Sequence, residues 1–116
     1  VNTIEVAFIK AGEHICTSIP VKIPNELATQ DSAEPPPGHG MFRILTAKDG
    51  DRRIVWNRLV LAEIRAAKEM FLELIDKGLV PYKVGTGGRP TSEIMAEFDP
   101  SAEEIMFLPI AAVVGG

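Results

Sequence analysis

His14 and Cys16, two positions apart, and the distant His39 are the only histidines and the only cysteine of the chain, and together they offer three ligands of the kind a zinc ion takes. A fourth Cys or His does not exist and the spacing is not that of a zinc motif, so no metal is expected. With no second thiol to pair with, Cys16 is expected to be a small buried hydrophobe in a reducing compartment. Gly85-Thr86-Gly87-Gly88-Arg89 has the glycine content of a phosphate loop. It lacks the Gly-Lys-Ser/Thr ending and the following helix that would aim backbone N–H groups at an anion, so a hairpin turn is expected. Arg52 and Arg53 beside Trp56 and Arg58 form the one local cluster of basic and aromatic residues, the combination that grips a nucleic-acid backbone. Strand alternation sends the two arginines to opposite faces, however, and Asp49 and Asp51 sit next to them. Glu93, Glu97, Asp99, Glu103 and Glu104 supply carboxylates for acid and base work, but no neighbouring His, Lys or apolar pocket is expected to shift a pKa, and a solvated rim is the simpler reading. These spacings assemble no catalytic, cofactor or small-molecule site. The expectation is a chain that is not an enzyme.

The bulk composition agrees with a folded protein that works by contact. Of 116 residues, 46% are hydrophobic and 24% charged, which suits one compact domain with extensions and excludes a disordered chain. Twelve basic residues against 16 acidic ones leave a net charge of −4, so no electrostatic attraction to nucleic acid or an anionic membrane is expected. No stretch reaches the roughly 18–20 apolar residues of a membrane-spanning helix, and the N-terminus lacks a signal-peptide order. A soluble, intracellular protein is expected.

Elements to position these residues divide the chain in three. Residues 1–24 read as an extended β arm. Ile4, Val6 and Phe8 share one face by period two, and Ile19, Val21 and Ile23 follow between and around Pro20 and Pro24, which cannot donate to a ladder and suit an edge strand. Residues 25–40, with Pro35 to Pro37, read as a stiff linker that holds the arm away from the rest or lets it reach across a neighbour. Residues 41–116 read as a compact α+β domain.

Within that domain Phe42 to Thr46 and Asp51 to Trp56 form a hairpin through the turn Ala47-Lys48-Asp49-Gly50. The helix is predicted from about Leu59 to Lys77, with Leu61, Ile64, Ala67, Phe71, Leu74 and Ile75 as its apolar stripe, Gly78 as its C-cap, and Arg65–Glu69 and Glu73–Lys77 as outer i,i+4 pairs. Leu79 to Val84 is a strand, in which Pro81 favours an edge or a strand start. Glu93 to Phe98 suits either a short strand or one helical turn. Asp99-Pro100-Ser101-Ala102 is expected to open a turn, with Asp99 as an N-cap and Pro100 at the first helical position. Ile105 to Ile110 is expected as a central strand covered on both faces. Trp56 either covers the helix stripe from the sheet or anchors a partner.

From Ile105 to Gly116 no side chain carries a charge or a hydrogen-bonding group. Such a tail is expected to pack into its own domain, into a partner or into an aggregate. The order strand, strand, helix, strand, strand, with the closing Gly115-Gly116, makes residues 41–116 resemble the ubiquitin-like, β-grasp proteins, in which a mixed sheet folds round one helix. That resemblance implies a modifier or sulfur carrier adenylated at Gly116, with Gly115 threading the activating site. The apolar Ala111 to Val114 and Pro109 depart from the polar tails of those families. A second resemblance, carried by Asp51 to Trp56 and by Glu97 to Ile105, is to small uncharacterised tailed-phage proteins. It implies a structural subunit, a capsid cement or accessory protein of a virion assembled in the host cytoplasm. Its protein partners would be met by Ile4, Val6, Phe8, Ile19, Val21, Ile23, Trp56, Val113 and Val114. The favoured expectation is the structural subunit, and the alternative is the cytoplasmic carrier.

Overall fold

A computed structural model describes residues 3–9, 16–32, 34–46, 50–84 and 90–109, with side chains over 20–32, 34–45, 51–84 and 94–108. Strands β4 (His39–Thr46) and β5 (Gly50–Asn57) pair antiparallel along their whole length, from His39 opposite Asn57 to Thr46 opposite Gly50. This is the hairpin expected from the alternation of apolar residues, and its turn at 47–49 lies outside the described residues. Helix α1 (Leu61–Asp76) follows, then β6 (Leu79–Val84), β7 (Pro90–Ile94) and β8 (Glu104–Pro109). The sheet runs β5–β4–β8–β6–β7, with β8 parallel to β4 and antiparallel to β6. One helix packed on a mixed sheet, with the last strand inserted beside the first, is an α+β, β-grasp-like fold.

Three further strands attach to this unit. β3 (Ala28–Gln30) pairs with β5 at the sheet edge. β1 (Thr3–Ile9) and β2 (Cys16–Lys22) pair with each other, and β1 meets β4 where Val6 lies opposite Thr46. The expected separation of arm from domain does not hold at the C-terminal end of the arm. Val21 and Ile23, with Leu27, belong to the same hydrophobic core as Phe42, Trp56 and the helix. Nor do residues 25–40 act as a free spacer. The Gln30 amide donates to the carbonyls of Ser32 and Glu34 at 3.1 and 2.7 Å, and Pro36 accepts from the His39 N–H at 3.0 Å across Gly38. Proline stiffness here shapes a pinned loop.

Five aromatic rings from five segments form the centre of the core. Phe42 of β4 stacks tilted on Trp56 of β5 with centroids 4.7 Å apart and meets Phe107 of β8 edge-on at 5.4 Å. Phe71 of α1 meets Phe107 at 5.6 Å and Phe98, in the β7–β8 connection, at 5.5 Å. Phe98 also reaches Trp56 at 5.3 Å, so the rings enclose one another with the edge and tilted geometries that aromatic pairs prefer. Gly40 lies directly under the Trp56 indole, and a Cβ there would overlap the ring.

On α1 the buried residues are Ala66, Ala67, Met70, Phe71 and Leu74. Leu61 and Ile75, expected in the apolar stripe, are instead 60% and 38% exposed. Helical geometry gives the reason: at 3.6 residues per turn Leu61 is rotated about 120° from Ala67. The C-terminus of the helix is closed as expected, with Gly78 at φ 97° and its N–H on the Ile75 carbonyl at 3.0 Å. β8 is central, between β4 and β6, with Ile105 and Phe107 buried while Met106 and Leu108 are only half-buried. β6 is not an edge strand, but β7 pairs with it only from Tyr82 onward, leaving Pro81 beyond the end of that ladder.

Candidate protein-contact surface

The start of α1 is set by a turn rather than by a side-chain cap. Asn57 Oδ1 accepts from the Leu59 N–H at 2.9 Å and the Asn57 carbonyl accepts from the Val60 N–H at 3.2 Å. Val60, the N-cap residue, is extended at φ −104° and ψ 111° and has no capping side chain. Glu63, in the first turn, instead accepts from the Asn57 N–H at 3.0 Å. This turn begins the helix two residues later than the apolar spacing predicts. It also turns Leu59 outward to 89% exposure, beside Val60 at 38% and Leu61 at 60%.

Beside these residues lies a groove of about 420 Å³ lined by Gly38, Arg58, Leu59, Ile64, Pro100 and Ser101. Arg58 holds its two walls together. Its N–H donates to the Gly38 carbonyl at 2.9 Å and its Nη1 to the Ser101 carbonyl at 3.2 Å, while its enclosed Nε makes no hydrogen bond among the described residues. The far wall is shaped by Asp99, whose Oδ1 accepts from the Ser101 N–H at 3.0 Å and from its hydroxyl at 2.6 Å. The turn expected over Asp99 to Ala102 forms, with the Ala102 N–H closing on the Asp99 carbonyl, and it leads directly into β8 two residues later without a helix that Asp99 would cap. The Ser101 hydroxyl first, then the Ser101 amide and the charge of Lys83, hold the Asp99 carboxyl below its ordinary value.

Along α1, Leu61, Arg65, Lys68, Leu72 and Ile75 form a line on the side away from the core, with Leu72 55% exposed. The i,i+4 pairs expected on this face, Arg65–Glu69 and Glu73–Lys77, are not among the salt bridges that form. Ion pairing is concentrated instead on the sheet face opposite the helix. Asp51 Oδ2 bridges Arg43 at 2.8 Å and Arg53 at 3.1 Å, which lie directly opposite each other, and Arg43 also reaches Glu104 at 3.3 Å. The hydrogen bonds that Arg43 donates to Asp51 foremost, and then to Glu104, raise the Arg43 pKa against the opposing effect of burial.

This network disperses the groups singled out as chemistry. Arg53 is tied to Asp51 and to the Asp31 carbonyl, Arg52 lies opposite Ile44 on the other face, and Trp56 is fully buried, so no basic-aromatic patch is assembled. Asp99 and Glu104 are held by separate partners, Glu97 and Glu103 are exposed, and the Glu93 side chain lies outside the described residues. No metal-binding group is formed among the described residues. The side chains of His14 and Cys16 and the loop Gly85 to Arg89 lie outside them, while His39 Nδ1 is within 3.0 Å of the Pro37 carbonyl.

Three residues expected to meet a partner are placed in the chain's own core: Val21 and Trp56 at 0% exposure and Ile23 at 1%. Of the two readings of Trp56, it takes that of a sheet residue covering the helix. In the β1–β2 register Ile4 lies opposite Val21 and Val6 opposite Ile19, while the side chains of Ile4, Val6, Phe8 and Ile19 lie outside the described residues. Val113, Val114, Gly115 and Gly116 also lie outside them. The sequence does not mark Leu59 and Leu72 as surface residues, because its apolar spacing places Leu59 within the helix and Leu72 carries no turn or motif signal. No helix among the described residues is long and apolar enough to cross a membrane. Comparison with known proteins matched no family model, no curated protein and no solved structure.

Proposed function

We propose that this chain is a non-enzymatic structural subunit that works by protein contact within a larger assembly. The observation that carries the reading is Leu59, 89% exposed at the rim of an apolar groove and continuous with Val60 and Leu61. Covering one such leucine is worth roughly 1.5–3 kcal/mol, and contiguous exposed apolar residues of this kind mark interaction sites. The finer assignment, a cement or accessory subunit of a phage virion, follows from the sequence resemblance alone. Light scattering on the protein purified from its native source tests the reading. A mass well above the 12.6 kDa of one chain is expected, reduced to that of the monomer by Leu59→Ser. A monomer in every fraction of the unsubstituted protein would contradict it.

The parallel pairing of β4 with β8 favours a second reading, the ubiquitin-like carrier activated at Gly116. The two readings part on Gly116→Ala. A structural subunit tolerates it, whereas a carrier loses all activity with fold and assembly unchanged.

A further inference from the structure

The outer line of α1 has the spacing of a helix-pairing seam. Leu61, Arg65, Lys68, Leu72 and Ile75 follow one another at intervals of four, three, four and three residues, the a/d repeat that keeps one stripe facing a partner helix. The stripe runs about 21 Å at 1.5 Å per residue. Its ends are aliphatic and exposed, and its centre holds two cations that form no salt bridge among the described residues. The core-facing side of the same helix is filled by the chain's own aromatic cluster, so this line is a second apolar face on a helix that needs only one for folding.

We propose that this seam docks an amphipathic helix of another protein whose contact stripe is aliphatic at both ends and carries two carboxylates at its centre. The inference deepens the protein-contact reading and rests on it. Charge complementarity selects the occupant. An acidic centre gives Arg65 and Lys68 the ion pairs they do not make among the described residues, while Leu61, Leu72 and Ile75 are covered. A second copy of this chain would set the same two cations against each other, and like charges across an interface act against pairing. An apolar stripe alone would leave two cations desolvated and unpaired, which is the penalty that enforces specificity.

The test uses the full chain and two synthetic amphipathic helices, with leucines at the outer contact positions and either glutamates or lysines at the two central ones. By fluorescence anisotropy at low salt the protein is expected to prefer the glutamate helix by about tenfold or more. The double variant R65E/K68E is expected to exchange that preference for the lysine helix, and Leu72→Ser to weaken both, with melting temperatures unchanged. Equal binding of the two peptides, no binding of either, or a double variant that keeps the original preference overturns the proposal. So does binding of phosphatidylserine vesicles in place of the peptides, or a dimer that Leu72→Ser dissociates. These outcomes are separable from failure of the broader reading. A native assembly that survives R65E/K68E when the peptides show no exchange ends the seam and leaves protein contact standing, whereas a native monomer ends the broader reading whatever the peptides do.

Discussion

The two sides of α1 carry similar residues in opposite circumstances. Toward the sheet, Ala66, Ala67, Met70, Phe71 and Leu74 are almost wholly enclosed by rings and aliphatic chains of the same protein. Away from it, Leu61, Leu72 and Ile75 are 60%, 55% and 38% exposed, and the cations between them make no ion pair among the described residues. The first side is accounted for by folding. The second costs the monomer solubility without adding to its stability, which is why we assign it to contact with another protein. The comparison separates two meanings of hydrophobic periodicity, since one helix can carry a stripe for its own core and another for a partner.

Substitutions on the two sides should therefore act in different currencies, and Phe71→Ala should show the largest change in stability. It removes a ring in contact with Phe98 and Phe107, and a loss of about 3–5 kcal/mol by denaturant titration is expected. Its sequence neighbour Leu72, 55% exposed, serves as the control. Leu72→Ser should leave the titration unchanged, and equal losses at both positions would erase the distinction between the faces. Gly40→Ala comes next, at about 1–3 kcal/mol, because its Cβ must displace the buried Trp56 ring. A shift in tryptophan emission should accompany it, and an unaltered spectrum and melting curve would mean that the ring is not packed on Gly40.

A smaller effect is expected at Asp99, which shapes the groove rather than the core. Asp99→Ala should cost about 0.5–1.5 kcal/mol at neutral pH through the lost turn hydrogen bonds. The folded carboxyl is held below its ordinary value of 3.8, so the folded state binds this proton less readily than the unfolded chain. Its stabilisation is therefore present above about pH 4 and lost as pH falls through the lower folded-state value. The difference between the unsubstituted protein and Asp99→Ala should shrink on acidification below that pH. A difference that stays constant would show that Asp99 does not titrate in the turn.

Much of the grasp unit was legible in the residues because its signals are local. The alternation in Phe42 to Thr46 and Asp51 to Trp56, Gly78 after the helix, and the apolar run from Ile105 each report on a few neighbouring positions. Phe98 was not recognised as core, since it sits in an irregular segment where no period applies, yet its ring contacts those of Phe42, Trp56 and Phe71. Asp99-Pro100 has the composition of a helix start, but Glu104 enters the sheet beside β4 before a helix can follow. Val21 and Ile23 were misplaced for a different reason: their burial depends on contacts with residues far along the chain, which composition and proline content do not encode. For the contact surface, the residue types were visible in the sequence. The outward turn of Leu61 follows from the helical period itself, whereas the exposure of Ile75, only about 40° round the helix from the buried Phe71, depends on where the sheet lies.

Hydroxyl-radical footprinting of the native species, compared with the isolated chain, is the most direct test of the central claim that the exposed side of α1 is a protein-contact surface. Leu59, Leu61, Leu72 and Ile75 are expected to lose reactivity in the native species while Met70 and Phe71 are equally protected in both. Unchanged reactivity at those four residues, with protection confined to other parts of the molecule, would contradict it.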